Sequence, residues 1–285
     1  MRKLVLLFAA LLVAGCGEKS LSDSAIEKAL DKAVELEALQ ERNDLYYQVN
    51  KTKPYSGWAK VLYDSGQAEQ LFAIKDGKRE GRTLAWEDDG TKTLEVTYKD
   101  GALEGYFEVS ERYSGPKEGF PDVDELIYDS YGARVAGTIR QGKMHGKWVM
   151  SLAEGQKYAE LKYKNGKLDG TYTIWHDNGQ KEEKGNYENG ELDGRFTMWH
   201  ENGQKAEEGT MKDGKMNGLW TTWHENGQKQ VEGTYKADKK DGLHTTWYEN
   251  GQKKAEATYK DGELVSGKFW NSKGEEVETE EEAAK

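Results

Sequence analysis

Residues 170–193 read GTYTIWHDNGQKEEKGNYENGELD, and much of the chain is this unit again. Trp175-His176-Asp177-Asn178-Gly179-Gln180-Lys181 returns as Trp199 to Lys205 and as Trp223 to Lys229. It returns once more as Trp247 to Lys253, with Tyr248 in place of histidine. The interval is 24 residues, and a fixed period of this length marks an array of one small unit rather than a globule around one site. Aligned on the glycine that opens each unit, the starts are Gly57, Gly81, Gly105, Gly146, Gly170, Gly194, Gly218, Gly242 and Gly267.

Within the unit, residues 171–176 are rich in β-branched and aromatic side chains and read as a strand. Asn178-Gly179 is a strong hairpin signal, expected as a type I′ turn with positive φ at both residues. Residues 181–187 are the return strand, and Asn189-Gly190 starts the loop into the next unit. Short connections make neighbouring strands antiparallel. Two strands per unit, at about 4.8 Å each, advance the array by roughly 9–10 Å. The expected fold is mainly β, an elongated single-layer array of stacked antiparallel β-hairpins preceded by one N-terminal helix. Strand alternation puts Tyr172, Ile174 and His176 on one face and Thr171, Thr173 and Trp175 on the other. Gly185, Gly209 and Gly233, in mid-strand, leave room beside a large ring, and the recurring tryptophan is the expected occupant.

The chain has 285 residues, with 33 Gly against 3 Pro, which suits many tight turns. Trp (9) and Tyr (16) supply aromatic surface for each hairpin. The net charge of −11 repels phosphate backbones and argues against nucleic acid as a partner.

The first residues carry an address. Met1-Arg2-Lys3 is a positive start, residues 4–13 are apolar, and Ala14-Gly15 precede the single cysteine, Cys16. Ten apolar residues are too few to span a bilayer, and the pattern is that of a secretory signal over residues 1–15. Val13-Ala14-Gly15-Cys16 also resembles the bacterial lipobox. That resemblance implies cleavage before Cys16, a diacylglyceryl group on its thiol and acylation, palmitate included, of the new N-terminus. The chain would then be anchored to a membrane without crossing it. Gly17, where an Asp would mark inner-membrane retention, points to the outer membrane of a Gram-negative host, on its periplasmic or surface side.

Residues 16–44 form the lipidated linker and an amphipathic helix. Ser24 and Glu27 fit a capping box. Ile26, Leu30, Ala33, Val34, Leu36 and Leu39 follow at helical spacing, and about five turns are expected. Its apolar stripe has two readings, packing on the end of the array or a coiled coil. The repeats occupy residues 45–274, with an insertion at about 112–128 carrying Pro116, Pro121 and the acids Asp122, Asp124 and Glu125. Proline keeps this stretch out of a central strand. It either lines a binding face or is a neutral excursion. Residues 275–285 hold six glutamates and read as a solvated tail.

The units resemble the MORN-repeat variant found in the YwqK family, whose members are often labelled antitoxin components. The matching features are the Tyr/Trp-x-x-Asn-Gly-Gln turns, the Gly-x-Tyr second strand, the Lys-Asp-Gly-x-x-x-Gly return, and the entry Tyr46-Tyr47 with Pro54-Tyr55-Ser56-Gly57. The resemblance implies an elongated antiparallel sheet of stacked hairpins over residues 45–274.

Catalytic chemistry is not legible. His176, His200 and His224 stand a full unit apart, too far to share one metal ion. Glu207 and Glu208 point to opposite faces of a strand. No nucleophile elbow, phosphate loop or zinc-protease motif occurs. No cofactor, metal or enzymatic activity is expected. The expected role is a membrane-anchored scaffold that binds a protein, or a glycan through Trp175, Trp199, Trp223 and Trp247. The alternative is an antitoxin or immunity-like protein neutralising a toxin. A monomer is expected.

Overall fold

The computed structural model describes residues 22–110, 134–152 and 155–283. Cys16, its signal and the insertion at 112–128 lie outside the described residues. Two compact units divide the chain, the first reaching Lys143 and including Ser151–Gln156, the second comprising Met144–Met150 and Lys157–Lys285.

In the first unit a helix, Asp23–Lys32, opens the described chain. It is half the expected length. Ser22, not Ser24, is its N-cap, and no side-chain capping bond forms. Local propensity favours helix through Leu39, but Ala33 is already extended and Val34–Glu35 pairs in parallel with Ala59 and Lys60. Sheet hydrogen bonds to a distant strand outcompete a helix that has only its own propensity behind it. A short hairpin follows, Leu39–Arg42 with Leu45–Gln48. Then come antiparallel strands Gly57–Leu62, Ala68–Lys75, Lys78–Trp86, Lys92–Lys99, Ala102–Val109 and Arg134–Arg140, each paired to the next.

This sheet is covered on both faces. Ile26, Ala29 and Leu30 of the helix, with Ala33 just beyond it, lie against Trp58, Ala68, Leu71, Leu84 and Trp86. Leu36, Leu39 and Tyr46 lie on the other side against Ala59, Phe72 and Ile74. The helix stripe therefore packs on a face of its own unit's sheet rather than on the end of the array.

The second unit is built mainly of repeats. Lys157–Lys164, Gly170–Trp175, Lys181–Glu188, Gly194–Trp199, Lys205–Lys212, Gly218–Trp223, Lys229–Lys236, Lys239–Trp247, Lys253–Lys260 and Glu263–Trp270 pair antiparallel in sequence order. The first strand of each repeat steps out of register just before its tryptophan, between Ile174 and Trp175 and again between Met198 and Trp199.

The type I′ geometry expected at Asn178-Gly179 is not found there. At Asn178-Gly179 only the glycine has positive φ. Gly179 N donates to His176 O and His176 N donates to Gln180 O. The loop is three residues long, a type I turn closed by a left-handed glycine. The type I′ pair is instead the connection between units. Both residues are left-handed at Asn189-Gly190 (53° and 99°), and the same holds at Asp76-Gly77, Asp100-Gly101, Asn165-Gly166, Asp213-Gly214 and Asp261-Gly262. One connection has no glycine. Ala237 and Asp238 take φ of 48° and 68°, which costs an alanine about 1–2 kcal/mol.

The last residues are more ordered than a solvated tail. Glu276–Val277 pairs with Phe269 and Trp270, and a short helix spans Glu280–Ala283. Ala283 is buried and its carbonyl accepts from the Tyr248 hydroxyl. An apolar alanine and an accepting carbonyl give the glutamate-rich segment a place to dock that its composition does not reveal.

Candidate functional site

One face of the second unit carries the buried rings. Tyr172, Phe196, Trp220 and His244 hold equivalent places in four units, and each is nearly or fully enclosed. Phe196 and Trp220 stack at 5.5 Å between centroids, and His244 sits edge-on between Tyr235 and Tyr259 at 5.0 and 5.2 Å. These rings, not Trp175, Trp199, Trp223 and Trp247, cover the mid-strand glycines. A Cβ on Gly185 would meet Tyr172, one on Gly209 would meet Trp220, and one on Gly233 would meet His244. The recurring tryptophans point to the opposite face, as strand alternation requires.

His244 has a titration consequence. Its Nε2 donates to Thr234 O at 2.8 Å, while Nδ1 is buried without a partner. Burial holds the imidazole below its ordinary 6.5, and the nearby Lys240 ammonium pushes the same way. The neutral ring is the one that fits. Its contribution to stability is complete above pH 6.5. It declines as pH falls below 6.5, because the unfolded chain takes up a proton that the folded chain resists. His244→Phe, the residue used at this place in Phe196, flattens that dependence. Melting curves between pH 8 and pH 5 check it: the variant loses less melting temperature on acidification than the parent.

The motif at the hairpin tip is a clasp between neighbouring units. His176 Nε2 lies 2.9 Å from Trp199 O, His200 Nε2 2.9 Å from Trp223 O, and His224 Nε2 3.2 Å from Trp247 O. A carbonyl only accepts, so each Nε2 carries the proton. Where Tyr248 replaces histidine, its hydroxyl donates to Trp270 O at 2.8 Å, and Tyr63 does the same to Trp86 O. The asparagines form a second rung. Asn178, Asn202 and Asn226 donate from Nδ2 to Glu201 O, Glu225 O and Glu249 O at 2.7–2.8 Å, while their Oδ1 atoms accept from the backbone of Gln180, Gln204 and Gln228. The glutamine side chains then lie against the turn glycines of the next unit. His, Asn, Gly and Gln of the motif are thus each engaged in holding repeat to repeat.

The Trp and Lys of the motif remain facing outward. Trp175, Trp199, Trp223 and Trp247 are all half-buried. Over each ring lies a lysine ammonium from the preceding unit: Lys157 over Trp175 at 5.8 Å, Lys181 over Trp199 at 5.9 Å, Lys205 over Trp223 at 5.6 Å, and Lys229 over Trp247 at 5.8 Å. That is cation–π distance. Lys205, Lys229 and Lys253 also pair with Glu208, Glu232 and Glu256 three residues on. The product is a row of alternating indole and ammonium, bordered by Glu and by buried Thr197, Thr221 and Thr245. Leu219 and Leu243 stand exposed beside it at 59% and 55%.

This row was visible in the sequence only as four tryptophans. The lysines over them lie 18 residues before each ring, and only the register between units brings them together. The three histidines are not gathered anywhere, and no set of three metal-ligating side chains occurs among the described residues. Among those residues no helix is long and apolar enough to cross a membrane.

No curated protein matches the chain. The family model described as MORN repeat variant matches residues 168–189, 192–213, 216–237 and 240–261. Each match begins two residues after one connection and ends on the first residue of the next, spanning one hairpin tip. Residues 168–261 are therefore four consecutive MORN-repeat-variant units, assembled as a β-repeat scaffold.

Proposed function

We propose that the protein is a non-catalytic scaffold, anchored to a bacterial membrane through lipid on Cys16, that binds a protein partner at the cell envelope across its Trp–Lys row. The observation that carries the reading is a contrast between equivalent surfaces. In the first unit the face bearing Trp58 and Trp86 is covered by the helix Asp23–Lys32, and Trp86 is only 7% exposed. In the second unit the equivalent face bears four half-buried tryptophans with the exposed Leu219 and Leu243 beside them. Contiguous aromatic and aliphatic surface rimmed by charge is what protein interfaces use. The engagement of the motif histidines in inter-unit bonds supports the absence of catalysis.

The test is lysine-directed cross-linking in intact cells, comparing the parent with Trp199→Ala/Trp223→Ala. Each aromatic anchor contributes about 2 kcal/mol at an interface, so the double variant recovers its partner at least roughly thirtyfold less well. Circular dichroism confirms that the variant keeps its sheet. Equal recovery from both, or recovery of glycan in place of protein, overturns the reading. Cys16→Ser, in the same cells, releases the chain from membranes and abolishes labelling by palmitate. Retention of either refutes the anchor alone.

A further inference from the structure

Among the described residues the array has an open edge. In each upstream repeat of the second unit the opening strand pairs along most of its length with a return strand, as Gly242, Leu243, His244, Thr245, Thr246 and Trp247 do with Tyr259 back to Lys253. At the last strand, Glu263–Trp270, the return shrinks to Glu276–Val277, opposite Phe269 and Trp270 only. The preceding six residues, Glu263, Leu264, Val265, Ser266, Gly267 and Lys268, are all exposed, with Leu264 at 54% and Val265 at 64%. An exposed strand edge is a template for another strand.

We propose that the occupant is the same edge of a second copy, paired antiparallel about a two-fold axis. The sequence of the edge is self-complementary in one register. Glu263 falls opposite the second copy's Lys268, Leu264 opposite Gly267 and Ser266 opposite Ser266, with Val265 the extra residue at which the strand's own register shifts. Each two-fold pair thus sets carboxylate against ammonium twice and gives each leucine a glycine to lie over. The faces agree as well. Lys268 pairs with Glu256 and Glu263 with Lys260 on one face, while Leu264 pairs with Tyr259 and Gly267 with Ala257 on the other. Directly opposed residues in antiparallel strands share a face, and this register sets like face against like. Among the described residues Lys268 makes an exposed contact, 3.4 Å to Glu276, that it can exchange. The symmetry is isologous and closes as a dimer rather than running on as a fibre. Six residues a side bury less than the roughly 1,000 Å² of a stable complex, so the association is transient and needs a trapping readout.

The experiment is zero-length carbodiimide cross-linking of the full chain in its native membranes, with mass spectrometry of mixed isotopically light and heavy protein. Glu263 and Lys268 of one chain are separated by five residues of extended strand, about 17 Å. A link between them therefore arises only between copies and appears as mixed light–heavy peptides. The pair Asp241–Lys260, 2.9 Å apart within one chain, serves as the positive control. The expected result is a light–heavy Glu263–Lys268 link that falls at least tenfold in Lys268→Glu. Glu263→Lys combined with Lys268→Glu restores a link between the same two positions. Formation of the control link without the Glu263–Lys268 link overturns the proposal, as does a double variant that links no better than the single one.

Discussion

Gly209→Val is expected to destabilise the second unit by about 2 kcal/mol, although the backbone there accepts any L-residue. Gly209 has no positive φ, so the cost is not conformational. A Cβ at this position would stand 1.9 Å from Trp220 Cε3 and 2.6 Å from Cδ2 and Cζ3. These are atoms of the indole body, not the end of a flexible chain. The ring cannot retreat freely, because Phe196 stacks against it at 5.5 Å and 21°. Overpacking of this kind costs about 1–3 kcal/mol, and the entropy gained by removing a glycine from the unfolded chain returns only about 0.4–1 kcal/mol. Two positions in the same array act as internal controls. Ala257 takes the place of Gly209 two units on, and the residue across from it on the following strand is Gly267 rather than a ring. The chain thus tolerates a side chain here where the facing ring is gone. Denaturant unfolding of Gly209→Val, Trp220→Ala and the double variant measures the coupling. A coupling below about 0.5 kcal/mol, the limit of additivity for independent sites, rejects the contact.

The same contact shows where sequence reading stops. Period, hairpins and unit boundaries are local properties, and residues 170–193 display them without help from the fold. The identity of the ring over Gly209 is not local. It depends on the register between Lys205–Lys212 and its neighbours and on the shift before each tryptophan, which no spacing announces. The turn at Asn178-Gly179 departs from type I′ for a related reason. Asn-Gly occurs at both Asn178 and Asn189, and only the closing pair His176–Gln180 reveals that the first loop has three residues. The helix was overextended because Val34 and Leu36 continue an apolar spacing that strand pairing with Ala59 then interrupts. Of the site, Trp175, Trp199, Trp223 and Trp247 were legible as repeated positions. The lysines above them and the carbonyls that clasp His176, His200 and His224 were not, since each partner sits in another repeat.

Burial, more than the identity of an ion pair, should decide the largest mutational effect in the molecule. Two repeats contain the same triad of side chains at the same places. Arg82, Glu95 and Lys92 form it in the first unit, at 3.4 Å and 2.6 Å from the carboxylate. Arg195, Glu208 and Lys205 form it in the second, with the arginine at 2.7 Å. The glutamates face Leu84 and Thr197 across the sheet. The difference is solvent: the Glu95 side chain is 0% exposed and that of Glu208 is 25%. Glu95→Ala removes a fully enclosed carboxylate from between two cations and costs about 3–5 kcal/mol. Glu208→Ala leaves a solvated arginine and lysine and costs less than about 1 kcal/mol. Hydrogen bonding from Lys205 holds the Glu208 carboxyl below its ordinary 4.5, so its small contribution is present above pH 4.5 and is lost as pH falls further. Raising salt to 1 M, where the screening length is about 3 Å, erases most of the Glu208 effect and little of the Glu95 effect. Urea midpoints of both variants at low and high salt measure the four numbers. Equal losses at the two positions would mean that the triad, and not its enclosure, sets the energy.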